Sequence, residues 1–374
     1  MKVRKLHIVS FDVPYPADYG GVIDVFYKIK ALHKAGVEIT LHCFEYGRGK
    51  PPELEKYANT VFYYKRKKSI FDFLKKDPFI VVTRSNKSLL ENLLLDDAPI
   101  LFEGLHTTYF LNSNPLANRI KMVRTHNIEH NYYNGLAKNA KGWIKWFFKL
   151  EAKKLMRYEK CLASANHVFT LQNEDLNHFK NLNSNSSLLP VCIPEINPTN
   201  QIVTLPYVLF HGNLSVFENQ KTVNWICENI APENKFEIRI AGKNPPSELI
   251  TKCAQLNIKI IANPTEEALN KLIQNARVHI FRTNQDTGIK LKLINVLSKS
   301  GHVLVNSKMI HGTNLASIIT VLETKNDFLS EIERCMNEEL SNQAFCKRQA
   351  LLAEHFNINK NIQAIINLID TPRN

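Results

Sequence analysis

The chain has 374 residues, 44% of them hydrophobic, 9% aromatic and 22% charged, with 48 Lys and Arg against 35 Asp and Glu for a net charge of +13. At roughly 100–200 residues per domain this length suits two domains, each long enough to bury a core, and the composition excludes a disordered or low-complexity chain. The positive excess admits nucleic acid, an anionic membrane or phosphorylated small molecules as partners, and only its distribution can choose among them.

Residues 6–12 read as a short apolar strand, without the long apolar core and small-residue cleavage site of a secretory signal. A Pro/Gly-rich loop covers 13–21. Val22, Phe26, Ile29 and Leu32 then recur at helical spacing, and Gly36 stops the helix. Strands are expected over 37–44, 79–83, 100–102, 122–125 and 168–171, separated by helical or polar stretches. Residues 138–160 carry eight basic and two acidic side chains, nearly half of the net charge. Read as one helix, they place Lys145, Lys149, Lys153 and Lys160 on one face and Ile144, Phe147, Phe148, Leu155, Tyr158 and Leu162 on the other.

Pro194, Pro198 and Pro206 mark a linker, placed at 196–206 between a domain over 1–195 and another over 207–355. Alternation then resumes, with strands over 207–211, 237–241, 258–261, 278–281 and 303–305. Helices fall between them over 220–230, 247–256, 266–276 and 288–300. Two polar helices and a final one near 359–369 close the chain. Strand–helix alternation in both halves predicts an α/β protein of two doubly wound parallel sheets, with ligands in the cleft between them. No window approaches ~20 apolar residues, so no membrane span is expected. The seven cysteines are odd in number and never spaced as CxxC, which suits free thiols in a reducing cytoplasm.

Glycine and polar residues collect at the strand ends. Thr287 and Gly288 open a helix whose unpaired N–H groups suit a phosphate, with Lys290 or Lys292 adding charge. Gly212 and Asn213 end one strand of the second half, and Gly242 and Lys243 end another. In the first half, Gly20 and Gly21 allow close backbone approach to a ligand. Arg124 and His126 lie in a polar run ending at Glu129 and His130, where a histidine can orient a substrate or shuttle a proton. Glu103 ends a further strand. His126 and His130 have metal-ligand spacing but no evident third ligand, so no metal is expected.

These segments resemble the GT-B nucleotide-sugar glycosyltransferases, specifically glycosyltransferase family four and its bacterial branch with THNIEH and GIKLKLLNAL-like runs. The resemblance rests on Gly20-Gly21, the 124–130 run, 211–214, 240–243 and 288–297. It implies two Rossmann-like domains of a GT-B fold, with the segment 356–374 returning to the first. It further implies that Gly20 and Gly21 lie against the donor diphosphate, that His126 sits near the donor sugar, and that Gly288 and Lys290 begin the donor-binding helix. The family's pair of glutamates falls on Thr287 and Asn295, and its basic pair on Asn213 and Asn219, with Lys221 and Lys243 as substitutes. Thr and Asn still hydrogen-bond but carry no charge.

The implied activity is retaining, metal-independent transfer of a sugar from a nucleotide diphosphate to a glycan or lipid-linked acceptor, in bacterial surface polysaccharide synthesis. The nucleotide sugar is a co-substrate and no further cofactor is expected. His126 and Glu129 take the catalytic roles, with Glu103 and Arg124 on the acceptor side. Two alternatives stand beside it: a GT-B-shaped binding or scaffold protein with a degenerate donor site, and a nucleotide-sugar epimerase. The basic stretch with Trp143, Trp146 and residues 65–68 adds an expectation of peripheral attachment to an anionic inner membrane. Nucleic acid is not expected, because no recognisable module accompanies the charge.

Overall fold

The computed structural model describes residues 3–45, 47–67, 69–196, 203–284, 290–299, 301–313 and 315–371. The chain forms two compact units, Met1–Glu195 with Phe356–Asn374, and Ile196–His355. In the first, β1 (Arg4–Ser10) leads to α1 (Gly20–Lys34), β2 (Val37–Glu45) and β3 (Thr60–Lys65). Short helices α2 (Phe79–Val82) and α3 (Lys87–Leu93) precede β4 (Ile100–Glu103) and β5 (Lys121–Arg124). Then follow α4 (Glu129–Asn139), α5 (Gly142–Tyr158), β6 (His167–Thr170), α6 (Asn173–Leu182) and β7 (Ser186–Leu188).

The second unit repeats the scheme with β8 (Leu205–His211), α7 (Phe217–Trp225), β9 (Glu237–Gly242), α8 (Ser247–Gln255) and β10 (Lys259–Ala262). It continues with α9 (Glu266–Asn275), β11 (Ala276–Phe281), α10 (Leu291–Leu297) and β12 (His302–Val305). Next come α11 (Ser307–Ile310), β13 (Thr320–Val321), α12 (Lys325–Asn337) and α13 (Asn342–His355). The last helix, α14 (Ile358–Asp370), belongs to the first unit.

The sheets run β3-β2-β1-β4-β5-β6-β7 and β10-β9-β8-β11-β12-β13, and every pairing is parallel. Each sheet therefore reverses strand order once, between β1 and β4 and between β8 and β11, which is where such folds bind ligands at the carboxyl edge. The central strands are buried on both faces and read as short apolar runs with polar residues mainly at their ends. In the first unit α1 and α14 pack on one face, through Val25, Ile29, Ile362 and Ile365. On the other face Leu89, Leu93 and Leu155 pack from α3 and α5.

Three local expectations are corrected. Residues 79–83 form no strand: α2 occupies them, because the Pro78 carbonyl accepts the N–H groups of Val81 and Val82 and Glu151 accepts that of Phe79 at 2.6 Å. A run of four apolar residues cannot by itself tell a buried strand from a turn of helix. The basic stretch 138–160 is not one helix. Ala140 is extended and Gly142 has φ +58°, so α4 ends and α5 starts anew, the two packing through Tyr133 and Phe148 at 5.8 Å. The helix expected over 220–230 starts earlier, at Phe217, and its last turn opens to π geometry over Ile226–Ile230. The edge strands β3, β7 and β13 were not anticipated: β7 and β13 are only three and two residues long, whereas the aromatic and β-branched run of β3 was a readable signal.

Candidate functional site

In the first unit the carboxyl edge carries a buried ionic cluster. Helix α1 turns Val22, Val25, Phe26 and Ile29 into the core, and on the same side Asp24 and Lys28 stand four residues apart. The Lys28 ammonium lies 2.9 Å from Asp24 and 2.7 Å from Glu103 at the end of β4. At the end of β5, Arg124 approaches Asp24 through Nε at 3.2 Å and Nη2 at 3.3 Å. The backbone N–H of Cys192 donates to Asp24 Oδ1 at 2.7 Å. Two carboxylates thus face two permanent cations. Burial opposes ionisation of Asp24, but Arg124 and Lys28 outweigh it and hold the carboxyl well below its usual range.

His126 joins this cluster from the loop after β5, with Nε2 3.3 Å from Glu103 Oε2 and 3.7 Å from Asp24 Oδ2. The 3.3 Å approach is off line for a hydrogen bond, so Glu103 Oε2 and His126 Nε2 are both buried without one. Burial disfavours the charged imidazole, yet Asp24 and Glu103 together raise its pKa above the ordinary value. The ring stands edge-on to Phe11 at 5.2 Å. Phe11 in turn lies 5.7 Å from His106, whose imidazole burial holds neutral.

Gly21 faces the same aromatic: a Cβ there would come within 2.7 Å of Phe11. The close approach that its lack of a side chain permits is therefore to the protein's own ring. Gly20 is the first residue of α1. Glu129 is the first residue of α4 and is buried; removal from water pushes its carboxyl up to about 7, against the opposing charges of His126 and Arg84.

Arg124 is fully enclosed, and its guanidinium also donates to the carbonyls of Thr170, Leu189 and Pro190. It binds the framework together. Asp24, Lys28 and Phe11 escaped the sequence reading. A charged pair four residues apart on the apolar face of a helix was the available signal for the first two.

In the second unit the ends of β8 and β9 touch. A Cβ on Gly242 would fall 1.8 Å from the Gly212 carbonyl oxygen, so only glycine fits. Asn213 is committed to an Asx turn, accepting from Ser215 N at 3.1 Å and Oγ at 2.8 Å. Asn219 donates to the Asn213 carbonyl at 2.8 Å and accepts from Lys292 Nζ at 2.9 Å. Lys292 crosses Phe210 and Phe281 at 4.9 and 5.1 Å, and burial lowers its pKa to about 7, helped by Lys290 and opposed by Glu218.

Lys292, on α10, and Lys290 at its cap are both half-buried, whereas Lys243 and Asn295 are exposed. Lys221 lies over Phe217 at 4.7 Å. Thr287 and Gly288 fall outside the described residues.

No family model matches the chain. An uncharacterized 44.6 kDa protein in the cps region of Klebsiella pneumoniae is 26% identical over 336 residues, covering 83% of this chain and 85% of that protein. Among solved structures, TarM superposes with a TM-score of 0.69 at 11% identity, over 99% of both chains. Trehalose-6-phosphate synthase OtsA gives 0.66 at 12%, over 99% of this chain and 100% of that one. HepE of Anabaena, solved with UDP and glucose, gives 0.64 at 11%, over 97% and 99%. The fold is GT-B. These neighbours are GT-B glycosyltransferases, and two all-parallel α/β sheets with one order reversal each are what the GT-B fold requires of this sequence.

Proposed function

We propose that this chain is a retaining, metal-independent hexosyltransferase that moves a sugar from a nucleotide diphosphate to a glycan or lipid-linked acceptor. The observation that carries it is the superposition of nearly the whole chain on glycosyltransferases, HepE with UDP and glucose among them. The cps-region relative supports a place in surface polysaccharide synthesis, and we place that work on the cytoplasmic side.

In this reading the paired Gly212 and Gly242 loops with Lys292 and Lys290 receive the diphosphate, and their charge stabilises it as it leaves. The departing phosphate takes the proton of the acceptor hydroxyl while that oxygen bonds the anomeric carbon from the same face. His126, whose side chain is 10% exposed, is the member of the cluster that a sugar hydroxyl can approach, with the enclosed Glu103 carboxylate behind it. Glu129 supplies a carboxylate whose proton affinity lies near neutrality. Lys28 and Arg124 already neutralise the carboxylates that would otherwise attract a metal ion.

Thermal melts with UDP- and GDP-sugars test the donor site, since saturation at about 100 times Kd adds about 2.7 kcal/mol. Turnover on lipid-linked acceptors, followed by mass spectrometry, tests transfer. The uncharged Asn213 and the exposed Asn295 favour a binding-only alternative. No shift at millimolar nucleotide sugar would favour that alternative, and isomerised donor without acceptor would indicate an epimerase. If His126→Ala and Glu129→Gln both turned over normally, the catalytic assignment would fall.

The acceptor side also bears on membranes. No helix among the described residues is long and apolar enough to cross one. Trp143 and Trp146 on α5 are 77% and 67% exposed, and Phe71 and Leu74 in the neighbouring loop are 72% and 83% exposed. Phe73 joins the two elements, stacked on Phe79 at 4.3 Å and edge-on to Phe147 at 5.3 Å, while Lys154 donates to its carbonyl at 2.8 Å. Exposed Lys145, Lys149 and Lys153 flank the tryptophans, and Lys75 and Lys76 flank Leu74.

Apolar tips ringed by lysines suit an anionic bilayer, at about 1 kcal/mol per lysine near the surface. In this reading the enzyme attaches peripherally to that surface to meet a lipid-linked acceptor. Co-sedimentation should rise with anionic lipid content, and Trp143→Ala with Trp146→Ala should weaken it. Binding indifferent to lipid charge would rule the attachment out.

A further inference from the structure

The two histidines of the 124–130 run, spaced as if for one ion, face different partners. His126 belongs to the cluster with Lys28 and Arg124. His130, the second residue of α4, turns the other way and places Nδ1 3.0 Å from Glu159 Oε2, just after α5. From α6, His178 brings Nε2 to 3.3 Å from Glu159 Oε1. The three ligand atoms lie within 4.8 Å of one another, and the two imidazole rings are 5.5 Å apart.

Glu159 is 4% exposed and His130 8%. Among the described residues no lysine or arginine forms an ion pair with Glu159; its ion-pair partners are the two histidines. This is the difference from the Asp24–Glu103–His126 cluster, where two permanent cations already supply the charge. A buried carboxylate facing only imidazoles requires positive charge from a bound ion or from a proton. His178 Nε2 is itself buried and makes no hydrogen bond, because its approach to Glu159 is off line for one. A buried ring nitrogen turned to the cluster without a hydrogen bond is open to serve as a metal ligand in its Nδ1–H tautomer.

We propose that His130, Glu159 and His178 form a site for a divalent transition-metal ion, Zn²⁺ by ligand type. Two neutral imidazoles and one carboxylate suit zinc, and three protein ligands leave the fourth position of a tetrahedral ion to solvent. The ion would tie together the start of α4, the end of α5 and α6. It would anchor the residue that follows Glu129, and its binding does not depend on the proposed reaction.

The test is direct titration of chelator-treated full-length protein with ZnCl2, by calorimetry and by competition with a chromophoric chelator, with melting followed in parallel. One equivalent should bind and raise Tm. His178→Ala, whose side chain is 29% exposed in the parent, should keep the fold by circular dichroism and lose more than about 100-fold in affinity, beyond the 10–100-fold typical of lost outer-shell partners. Glu159→Gln should lose the same equivalent. Absence of stoichiometric binding by the parent would overturn the proposal, as would binding left unchanged in both variants, which would place the ion elsewhere.

Discussion

At the scale of residues, function and stability meet in two side chains of the 124–130 run. The His126 pKa is raised by Asp24 and Glu103, so the imidazole stabilises the fold fully below its ordinary value near 6.5 and loses that contribution as pH rises through the folded value. The stability advantage of the parent over His126→Gln should therefore be largest below pH 6.5 and shrink as pH rises above it in urea melts. An advantage independent of pH would contradict the charge contact. Glu129 has the opposite consequence. Its carboxyl is raised from 4.5 to about 7, so the folded state loses stability as pH rises across that interval. Glu129→Gln should be more stable than the parent above pH 7, by roughly a few kcal/mol. It should also be slower in turnover and lose any limb of the pH–rate profile near 7. A variant that is less stable at pH 8 would show that the carboxylate is held by groups other than those described.

At the scale of elements, the contact between the ends of β8 and β9 is set by glycine. With the Gly212 carbonyl 1.8 Å from a Cβ at position 242, the obstacle is backbone and cannot swing aside as a side chain would. Gly242→Ala should cost about 1–3 kcal/mol by overpacking and weaken nucleotide binding with it; a neutral melt would show that the two loops separate freely. Both elements were legible in the sequence as strands ending in glycine, because a parallel strand buried on both faces is a short apolar run with turn residues behind it. The helices α4 and α5 were less so. Composition marked the stretch as basic and amphipathic, but the break at Ala140–Gly142 depends on one left-handed residue, and hydrophobic periodicity continues across it.

At the scale of the whole molecule, the last helix decides whether the first unit has a complete core. Ile358, Ile362, Ile365 and Ile366 of α14 are buried with Val25 and Ile29 of α1, and Arg4 of β1 holds Asp370 through two nitrogens at 2.7–3.0 Å. Four buried isoleucines at about 1.5–3 kcal/mol each amount to about 6–12 kcal/mol, comparable with the whole stability of a domain. Removing 356–374 should leave a protein that binds a hydrophobic dye and lacks a cooperative transition for the first unit. A cooperative melt of full amplitude would show that α14 is dispensable.

The sequence by itself determined the α/β class, the strand ends that carry glycine and polar residues, and the place of the charge along the chain. These follow from local periodicity and turn chemistry, which need no knowledge of distant neighbours. The tertiary structure decided the partners. Lys28 meets Glu103 and Arg124 meets Asp24 only because β1, β4 and β5 come side by side while α1 crosses over them, across 75 and 100 residues of chain. The same crossovers send His126 to one cluster and His130 to another, though four residues separate them, because a loop carries the first and a helix turns the second away. Among the lysines of the second unit, Lys292 is the one laid over Phe210 and Phe281. Composition could not distinguish it from Lys290, since that packing is a property of the assembled sheet and not of the residue.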